Sequence, residues 1–295
     1  MRQLLFSLFG VAVTLAGAHG QSERISNKPL VELNYRAVGQ LIYLPVQVNG
    51  SDPLWFCFDS GAPNSILDSA SAQKLNIKAQ SSGVIHGAGH GEVSASDAGE
   101  VSFTIGGLTT RVPHANIVDL SKVPGQVAEN GLLGAEFLEQ YVVRIDSVRH
   151  TIAFYDPKTF IYRGDGKPLP LELTNSRLYI RVGLATKPGE LLDRTLRVDT
   201  GSEDSIDDDT IRGAAKLQKT TVGNGLGTSY EDVSGVYDTV KVGPFVFRNV
   251  WGPAGGVPII GMEMMRRFTL TFDTSSGLLY LEPNASLNEP FPAPN

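Results

Sequence analysis

The sequence is poor in cysteine: Cys57 is the only one among its 295 residues. No internal disulfide is therefore possible, even in a compartment that would permit one. Cys57 lies in an apolar segment two residues before Asp59, and we expect it to be a small buried hydrophobic residue. A catalytic thiol would need a neighbouring base, and the sequence does not show one.

The sequence also lacks an excess of positive charge. Its 25 Lys and Arg residues are outnumbered by 31 Asp and Glu residues, which gives a formal net charge of −6. This balance provides no basic footprint for nucleic acid and mainly favours solubility. With 41% hydrophobic and 19% charged residues, the composition is typical of a globular protein rather than a disordered one.

Long hydrophobic runs are absent after the first twenty residues, so no later segment is expected to span a membrane. The N-terminus has Arg2, an apolar stretch at residues 4–16 that is too short to span a bilayer, and the small-residue site Ala18-His19-Gly20. These features are typical of a secretory signal peptide, which we assign to residues 1–20. We expect the mature chain to be exported, either to the periplasm or out of the cell.

Turn-forming residues are abundant, with 32 Gly and 17 Pro. Between them, segments such as "VSFTI" at 101–105 and "TLTFD" at 269–273 alternate with a period of two, which predicts half-buried strands. The pattern therefore favours an all-β protein. Short helices are expected only at 65–75, 135–140, 205–217 and 262–267.

The second half of the sequence repeats landmarks of the first half in the same order. "LIYLPVQV" (41–48) matches "RLYIRVGL" (177–184), "GAGHG" (87–91) matches "GNGLG" (223–227), and "NGLLGAEFLEQYVVRID" (130–146) matches "VPIIGMEMMRRFTLTFD" (257–273). A repeat of this length indicates two related lobes.

The repeat defines the expected domain organisation. We place an N-terminal lobe at 21–160, a Gly- and Pro-rich linker at 161–175, a C-terminal lobe at 176–282 and a proline-rich disordered tail at 283–295. Residues 30–38 are expected to add an edge strand to a sheet that joins the two lobes.

Each lobe carries an Asp-Ser/Thr-Gly triplet at the end of an apolar strand: Asp59-Ser60-Gly61 in the first lobe and Asp199-Thr200-Gly201 in the second. A single triplet would indicate no more than a turn. Two triplets at equivalent places in a repeat would bring Asp59 and Asp199 face to face across a pseudo-two-fold axis. The hydroxyl residues could then hydrogen-bond across that axis, and the glycines would allow close packing.

These paired motifs resemble those of the pepsin/retropepsin-like aspartic proteases. The motifs "DSGA" and "DTGS" are each followed by an apolar-apolar-Gly corner, "LLG" at 132–134 and "IIG" at 259–261. The short lobes are more similar to retropepsin-type bacterial members than to large pepsins, and the resemblance covers about 39–282. It implies a bilobal, pepsin-like, all-β fold of two related β-barrel lobes with a central cleft.

The resemblance implies a catalytic dyad of Asp59 and Asp199, supported by Ser60, Gly61, Thr200, Gly201 and Ser202. Two carboxylates about 3 Å apart hold one proton between them, so that one can activate a water while the other polarises the scissile carbonyl. This chemistry needs neither a metal nor a cofactor. We expect the Ser202 hydroxyl to bond the outer oxygen of Asp199, which would make Asp199 the more ionised member and leave the proton on Asp59.

The resemblance also implies a flap over the cleft. Pepsins carry a tyrosine there, but "SSGVIHGAGHGEVSA" at 81–95 has none. We assign substrate contacts to His86, Gly87, Ala88 and Gly89 of this flap and to Gly225 and Leu226 of its counterpart in the second lobe. His86 and His90 lack a third ligand at a suitable spacing, which argues against a metal site.

The function that we expect is an aspartic endopeptidase acting on an extended peptide or protein substrate. As an internal pseudo-dimer, the chain is expected to be a monomer. Two alternatives stay open: a catalytically weak or inactive pepsin-like module that binds peptides or proteins in the cell envelope, and a structural or assembly role there. Retention of both aspartates favours the enzyme, whereas the flap without tyrosine favours a binding module.

Overall fold

The computed structural model describes residues 27–123 and 129–292. The signal peptide expected at residues 1–20 lies outside the described residues, as do residues 293–295 of the expected tail. None of the helices in the described part of the chain has the length and apolar character needed to cross a membrane.

The first half of the chain forms short strands and two helices. The helices are α1 (Ser69–Lys74) and α2 (Glu136–Gln140). The strands are β1 (Val31–Asn34), β2 (Arg36–Val38), β3 (Leu41–Val48), β4 (Leu54–Phe58), β5 (Ile66–Asp68), β6 (Ser81–Ile85), β7 (Val93–Asp97), β8 (Val101–Ile105), β9 (Leu108–Val112), β10 (Asn116–Val118), β11 (Gly131–Leu133), β12 (Val142–Asp146) and β13 (Thr151–Tyr155).

The second half has the same character, with one α-helix, α3 (Met262–Met265). Its strands are β14 (Lys167–Pro170), β15 (Glu172–Thr174), β16 (Arg177–Ala185), β17 (Leu192–Val198), β18 (Ile206–Asp207), β19 (Leu217–Val222), β20 (Tyr230–Val242), β21 (Phe245–Pro253), β22 (Ile259–Ile260), β23 (Phe268–Asp273) and β24 (Leu278–Pro283).

The strands form three sheets that together make two lobes. The N-terminal lobe is a ten-stranded sheet containing β2 to β11, and the C-terminal lobe is an eight-stranded sheet containing β15 to β22. A six-stranded sheet, in the order β1-β13-β12-β23-β24-β14, takes strands from both halves of the chain and joins the lobes. The expected all-β, bilobal fold is confirmed.

The joining sheet explains the role of the first described strand. β1 pairs antiparallel with β13, with Leu33 opposite Ile152, and so forms one edge of this sheet. At its centre β12 pairs with β23, where Ile145 lies opposite Leu270, and all three of Ile145, Ile152 and Leu270 are fully buried. The edge strand expected within residues 30–38 is confirmed, and its apolar side chains extend a core shared by both lobes.

The repeat in the sequence appears as a repeated strand arrangement. In the N-terminal lobe β11 lies between β4, which is parallel to it, and β5, which is antiparallel. In the C-terminal lobe β22 lies in the same way between β17 and β18. Because β4 and β17 end at equivalent points, the residues that follow them, Asp59 and Asp199, occupy equivalent positions in the two lobes.

The helices expected at 65–75, 135–140 and 262–267 are found in shortened form as α1, α2 and α3. The fourth, expected at 205–217, is reduced to one 3₁₀ turn at Asp209–Gly213. Asp208 caps this turn by accepting from the Thr210 N–H at 2.8 Å. Ser205 instead donates to the carbonyl of Trp251, so it fixes the chain to β21 rather than starting a helix.

The end of the chain differs from the disordered tail expected at 283–295. Arg267 is fully buried, and its guanidinium donates to the carbonyls of Ser286 and Glu289. The same guanidinium lies 3.7 Å from the centre of the Phe291 ring. A buried cation needs acceptors, and the tail up to residue 292 provides them. The expected linker at 161–175 also contains regular structure, namely β14 and β15.

Candidate active site

The two aspartates are fixed by the backbone at the ends of equivalent strands. The Asp59 N–H donates to the Leu133 carbonyl at 2.9 Å, and the Asp199 N–H donates to the Ile260 carbonyl at 3.0 Å. Leu133 and Ile260 belong to the apolar-apolar-Gly corners at 132–134 and 259–261. The two corners therefore set the position at which each aspartate-bearing segment leaves its strand and turns toward the other lobe.

Ser60 and Thr200 join the two motifs through a reciprocal set of hydrogen bonds. Ser60 Oγ donates to the Val198 carbonyl at 2.7 Å, and Thr200 Oγ1 donates to the Phe58 carbonyl at 2.7 Å. Each hydroxyl also accepts the backbone N–H of the other residue, at 2.9 and 3.0 Å. Both side chains are fully buried, so the bonds hold the strand ends in one geometry, as the sequence analysis expected.

The glycines bring each carboxylate against the opposite motif. The Gly61 N–H donates to Asp59 Oδ1 at 2.8 Å, and the Gly201 N–H donates to Asp199 Oδ1 at 3.0 Å. A methyl group added at Gly61 would lie 2.3 Å from Asp199 Oδ2, and one added at Gly201 would lie 2.5 Å from Asp59 Cγ. Only glycine fits at these two positions, because the partner carboxylate occupies the space of a side chain.

The two carboxylates do not have equivalent electrostatic surroundings. Burial and the neighbouring charge of Asp199 raise the pKa of Asp59 to about 7, although the Arg197 charge and the N–H groups of Gly61 and Ala62 act in the opposite direction. Burial and the Asp199 charge therefore favour the protonated form of Asp59. The direction of the Asp59 shift agrees with the asymmetry predicted from the sequence.

The cause of the asymmetry between Asp59 and Asp199 differs from the predicted one. Ser202 Oγ does not bond Asp199; it accepts the backbone N–H of Asp204 at 3.2 Å. Arg197 takes that role, since its Nη2 donates to Asp199 Oδ2 at 3.0 Å in an ion pair whose side chains are 13% and 10% exposed. Arg197 lies two residues before Asp199 on β17, and strand alternation puts both on one face. That spacing was the signal that the sequence analysis missed.

Two hairpins close over the cleft from opposite lobes. Residues 86–91 connect β6 to β7, and residues 223–228 connect β19 to β20. The Gly89 N–H donates to the Leu226 carbonyl, and His90 and Thr228 exchange two backbone hydrogen bonds, all at 2.9 Å. The His90 ring stacks on Tyr230 with the centroids 3.6 Å apart. The two expected flaps thus meet each other and form a continuous roof.

The expected flap residues have two different environments. His86, Gly87, Ala88, Gly225 and Leu226 line the cavity beneath the roof. Gly89 is instead at the contact between the flaps, where an added methyl group would lie 2.7 Å from the backbone of the other hairpin. The close approach of the two backbones therefore requires glycine here.

The cavity between the roof and the aspartates has a volume of about 620 Å³. Both aspartates lie in its wall, together with Arg197 and the apolar side chains Leu120 and Leu132. A volume of this size is within the range of small-molecule and short-peptide sites. The cavity passes directly over the two carboxylates, so any bound chain would cross them.

Neither a metal site nor a thiol site is apparent in the described residues. Across residues 27–123 and 129–292, no group of three or more His, Cys, Asp or Glu side chains is placed to hold a metal ion. Cys57 is fully buried, and burial raises the pKa of its thiol well above the ordinary value. It is therefore the inert hydrophobic residue that the sequence analysis expected.

The two-lobed all-β fold and the crossed Asp-Ser/Thr-Gly motifs are the features that the resemblance to retropepsin-like aspartic proteases implied. Residues 44–137, which include Asp59 and the first flap, match the model of the aspartyl protease family. This match confirms the resemblance seen in the sequence. No curated protein matches the chain.

Proposed function

We propose that the protein is an aspartic endopeptidase with Asp59 and Asp199 as its catalytic dyad. The observation that supports this most strongly is the crossed arrangement of the two motifs, in which each carboxylate lies against the glycine of the other. Burial and one negative charge raise the pKa of Asp59 to about 7. A pair with one proton and one charge is the state that activates a water.

In the proposed mechanism the two aspartates have different roles. Asp199, ion-paired with Arg197, is the charged member and acts as general base toward a water bound between the carboxylates. Asp59 keeps its proton and donates a hydrogen bond to the scissile carbonyl oxygen. After attack, the proton taken by Asp199 passes to the leaving amine, and the peptide bond breaks without a covalent enzyme intermediate.

The substrate is proposed to be an extended peptide held in the cavity beneath the two flaps. The flaps are joined by three backbone hydrogen bonds and by the stacked rings of His90 and Tyr230. A peptide that enters from above must open these contacts, and the freed N–H and C=O groups can then pair with the peptide backbone as an added strand. The glycines at 87, 89 and 91 allow the first flap to change its backbone conformation.

The test is hydrolysis of a mixed peptide library by the chain starting at residue 21. Cleavage is measured between pH 3 and 8, with and without pepstatin, for the wild type and for the Asp59→Asn and Asp199→Asn variants. We expect both variants to lose cleavage while Asp165→Asn, which changes an exposed carboxyl outside the cleft, keeps it. Cleavage that survives in either dyad variant would refute the proposed mechanism.

One observation favours the alternative of a peptide-binding module that does not cut. The flaps contact each other directly, so a substrate that enters from above must first separate them. If no library peptide is cleaved at any pH while peptides still bind in the cleft, the protein is a binding module. A protein with a structural role in envelope assembly would neither cleave nor bind the library peptides.

We further propose that the protein acts outside the cytoplasm and as a monomer. The N-terminal pattern at residues 1–20 supports export, and the two lobes together contribute both aspartates from one chain. Cell fractionation with N-terminal sequencing tests the first point, because a mature N-terminus close to residue 21 is expected. Sedimentation tests the second.

A further inference from the structure

The N-terminal lobe covers its side of the cleft with apolar side chains. Four residues stand side by side across neighbouring strands: Tyr43 opposite Cys57, Cys57 beside Leu132, and Leu132 opposite Ile66. All four are buried and belong to one apolar cluster. Leu132 and Ile66 line the cavity, so this half of the cleft suits an apolar substrate side chain.

The equivalent row in the C-terminal lobe carries two ionisable side chains. Tyr179 lies opposite Arg197, Arg197 beside Ile259, and Ile259 opposite Asp207, and all four line the cavity. Arg197 and Asp207 thus stand where the first lobe has a cysteine and an isoleucine. The Arg197 charge is accounted for by its ion pair with Asp199, whereas Asp207 has no such partner.

Asp207 lies in the wall of the cleft, and its carboxyl accepts the backbone N–H of Gly255. It is 9% exposed, and its Oδ1 has no hydrogen-bond partner in the described part of the chain. Burial and then the nearby charge of Asp204 raise its pKa to about 8, with smaller contributions from Asp208 and Asp209, although the Gly255 N–H acts in the opposite direction. Arg197 lies two strands away, which is about 10 Å across a sheet.

A buried carboxyl oxygen without a hydrogen-bond partner costs folding free energy unless a bound ligand donates to it. A buried donor or acceptor without a partner costs about 1 to 3 kcal/mol, and a buried charge costs more. Asp207 is held in place by the Gly255 backbone, whose N–H donates to its carboxyl and which packs so closely that an added methyl group would lie 2.1 Å from Oδ2. Asp204 also lines the cavity and adds a second carboxyl on the same side of the dyad.

We propose that this half of the cleft is a subsite for a lysine or arginine side chain of the substrate, with Asp207 as its principal acceptor and Asp204 as a second one. The inference rests on the proposed function, because it names the substrate class of the same site. A bound ammonium or guanidinium group would favour the ionised form of Asp207 over the protonated one and donate to its carboxylate. The preferred substrate would then have a basic side chain on one side of the scissile bond and an apolar one on the other.

The test compares cleavage of two peptides that differ only in lysine against norleucine, which keeps most of the stem but not the ammonium group. The position to vary is read from mass spectrometry of the cleaved library. We expect the wild type to prefer lysine by about 10- to 100-fold in kcat/KM, the range of one charge-assisted hydrogen bond. Asp207→Asn keeps the size of the side chain and should lose this preference.

The matched control is Asp209→Asn. Asp209 is an exposed carboxyl two residues further on, whose partner is Arg212 outside the cleft. This variant removes one negative charge from the same segment and should keep the preference for lysine. Equal lysine-to-norleucine ratios in the wild type and in Asp207→Asn would overturn the proposed subsite.

A binding arm separates failure of the subsite from failure of the proposed function. Fluorescence anisotropy with the same two labelled peptides is measured on Asp59→Asn and on the double variant Asp59→Asn/Asp207→Asn. If the wild type cleaves nothing but lysine-selective binding disappears with Asp207, the subsite holds and the endopeptidase assignment fails. If peptides are cleaved without any basic preference, the subsite is overturned and the endopeptidase assignment holds.

Discussion

Replacing Arg197 by methionine should change the pH dependence of cleavage more than any other substitution outside the dyad. Arg197 Nη2 is 3.0 Å from Asp199 Oδ2, and both side chains are largely buried. The guanidinium stabilises the dyad state with one negative charge over the state with two protons. Methionine fills a similar volume but removes this charge, so the singly charged state should form only at higher pH.

The size of the effect follows from the distance. Two charges about 4 Å apart interact by about 4 kcal/mol at an effective dielectric constant of about 20. Because 1.36 kcal/mol corresponds to one pH unit, the upper limit is about 3 units. The residual exposure of 13% and 10% allows solvent screening, and we therefore expect the acidic limb of the pH–rate profile to rise by about 1 to 2 units.

The alkaline limb should move in the same direction. It reports loss of the proton from Asp59, whose pKa is about 7 with Arg197 present. Since Arg197 lowers that pKa, its removal raises it, and activity should extend to higher pH. The shift should be smaller than that of the acidic limb, because Arg197 contacts Asp199 rather than Asp59.

The assay is kcat/KM of one cleaved peptide between pH 3 and 9, with thermal unfolding as a check that each variant is folded. Arg177→Met is the matched control, since Arg177 lines the same cavity but is not paired with the dyad. Arg197→Lys keeps the charge and should restore most of the wild-type profile. Unmoved limbs in a folded Arg197→Met variant, or equal shifts in Arg177→Met, would refute the role given to Arg197.

Other substitutions test the remaining parts of the structure. Ser60→Ala removes two of the four hydrogen bonds that cross the lobe boundary and should lower the free energy of unfolding by about 1 to 3 kcal/mol in urea titration; an unchanged midpoint would contradict this. Gly87→Val introduces a Cβ 2.4 Å from Leu226 and should separate the flaps, seen as faster amide exchange at His90; exchange as slow as in the wild type would count against the closed roof. Arg267→Met should lower the free energy of unfolding by about 3 to 5 kcal/mol, because the cation and its partner carboxylate are both buried. The substitution should also make residues 284–292 sensitive to proteolysis. A tail that stays resistant would argue against its anchoring by Arg267.

The two Asp-Ser/Thr-Gly motifs could be located from the sequence because each of them is local. Asp59 and Asp199 each end an apolar strand and are followed by a hydroxyl residue and glycine, and the repeat relates the two segments. The alternation of apolar and polar residues with a period of two also predicted an all-β fold. The short helices were also predicted from local patterns. The segment at 205–217 forms a 3₁₀ turn instead, because Ser205 donates a hydrogen bond to β21.

What the sequence did not show depends on partners distant along the chain. The acceptors of Arg267 lie about twenty residues further on, so composition alone made the tail look disordered. The position of Asp207 in the cleft follows from its register opposite Ile259, which no local pattern specifies. The contact between flaps likewise joins His90 to Thr228 across the two lobes. Arg197 alone was accessible to sequence reasoning, from its spacing to Asp199.

The most direct test of the central claim is a crystal structure of the protein with a statine-containing peptide, whose hydroxyl group imitates the attacked carbonyl. We predict that this hydroxyl lies within hydrogen-bonding distance of both the Asp59 and the Asp199 carboxylates, beneath the closed flaps. A hydroxyl that contacts only one carboxylate, or a peptide bound away from this cleft, would contradict the account of a water activated between the two lobes.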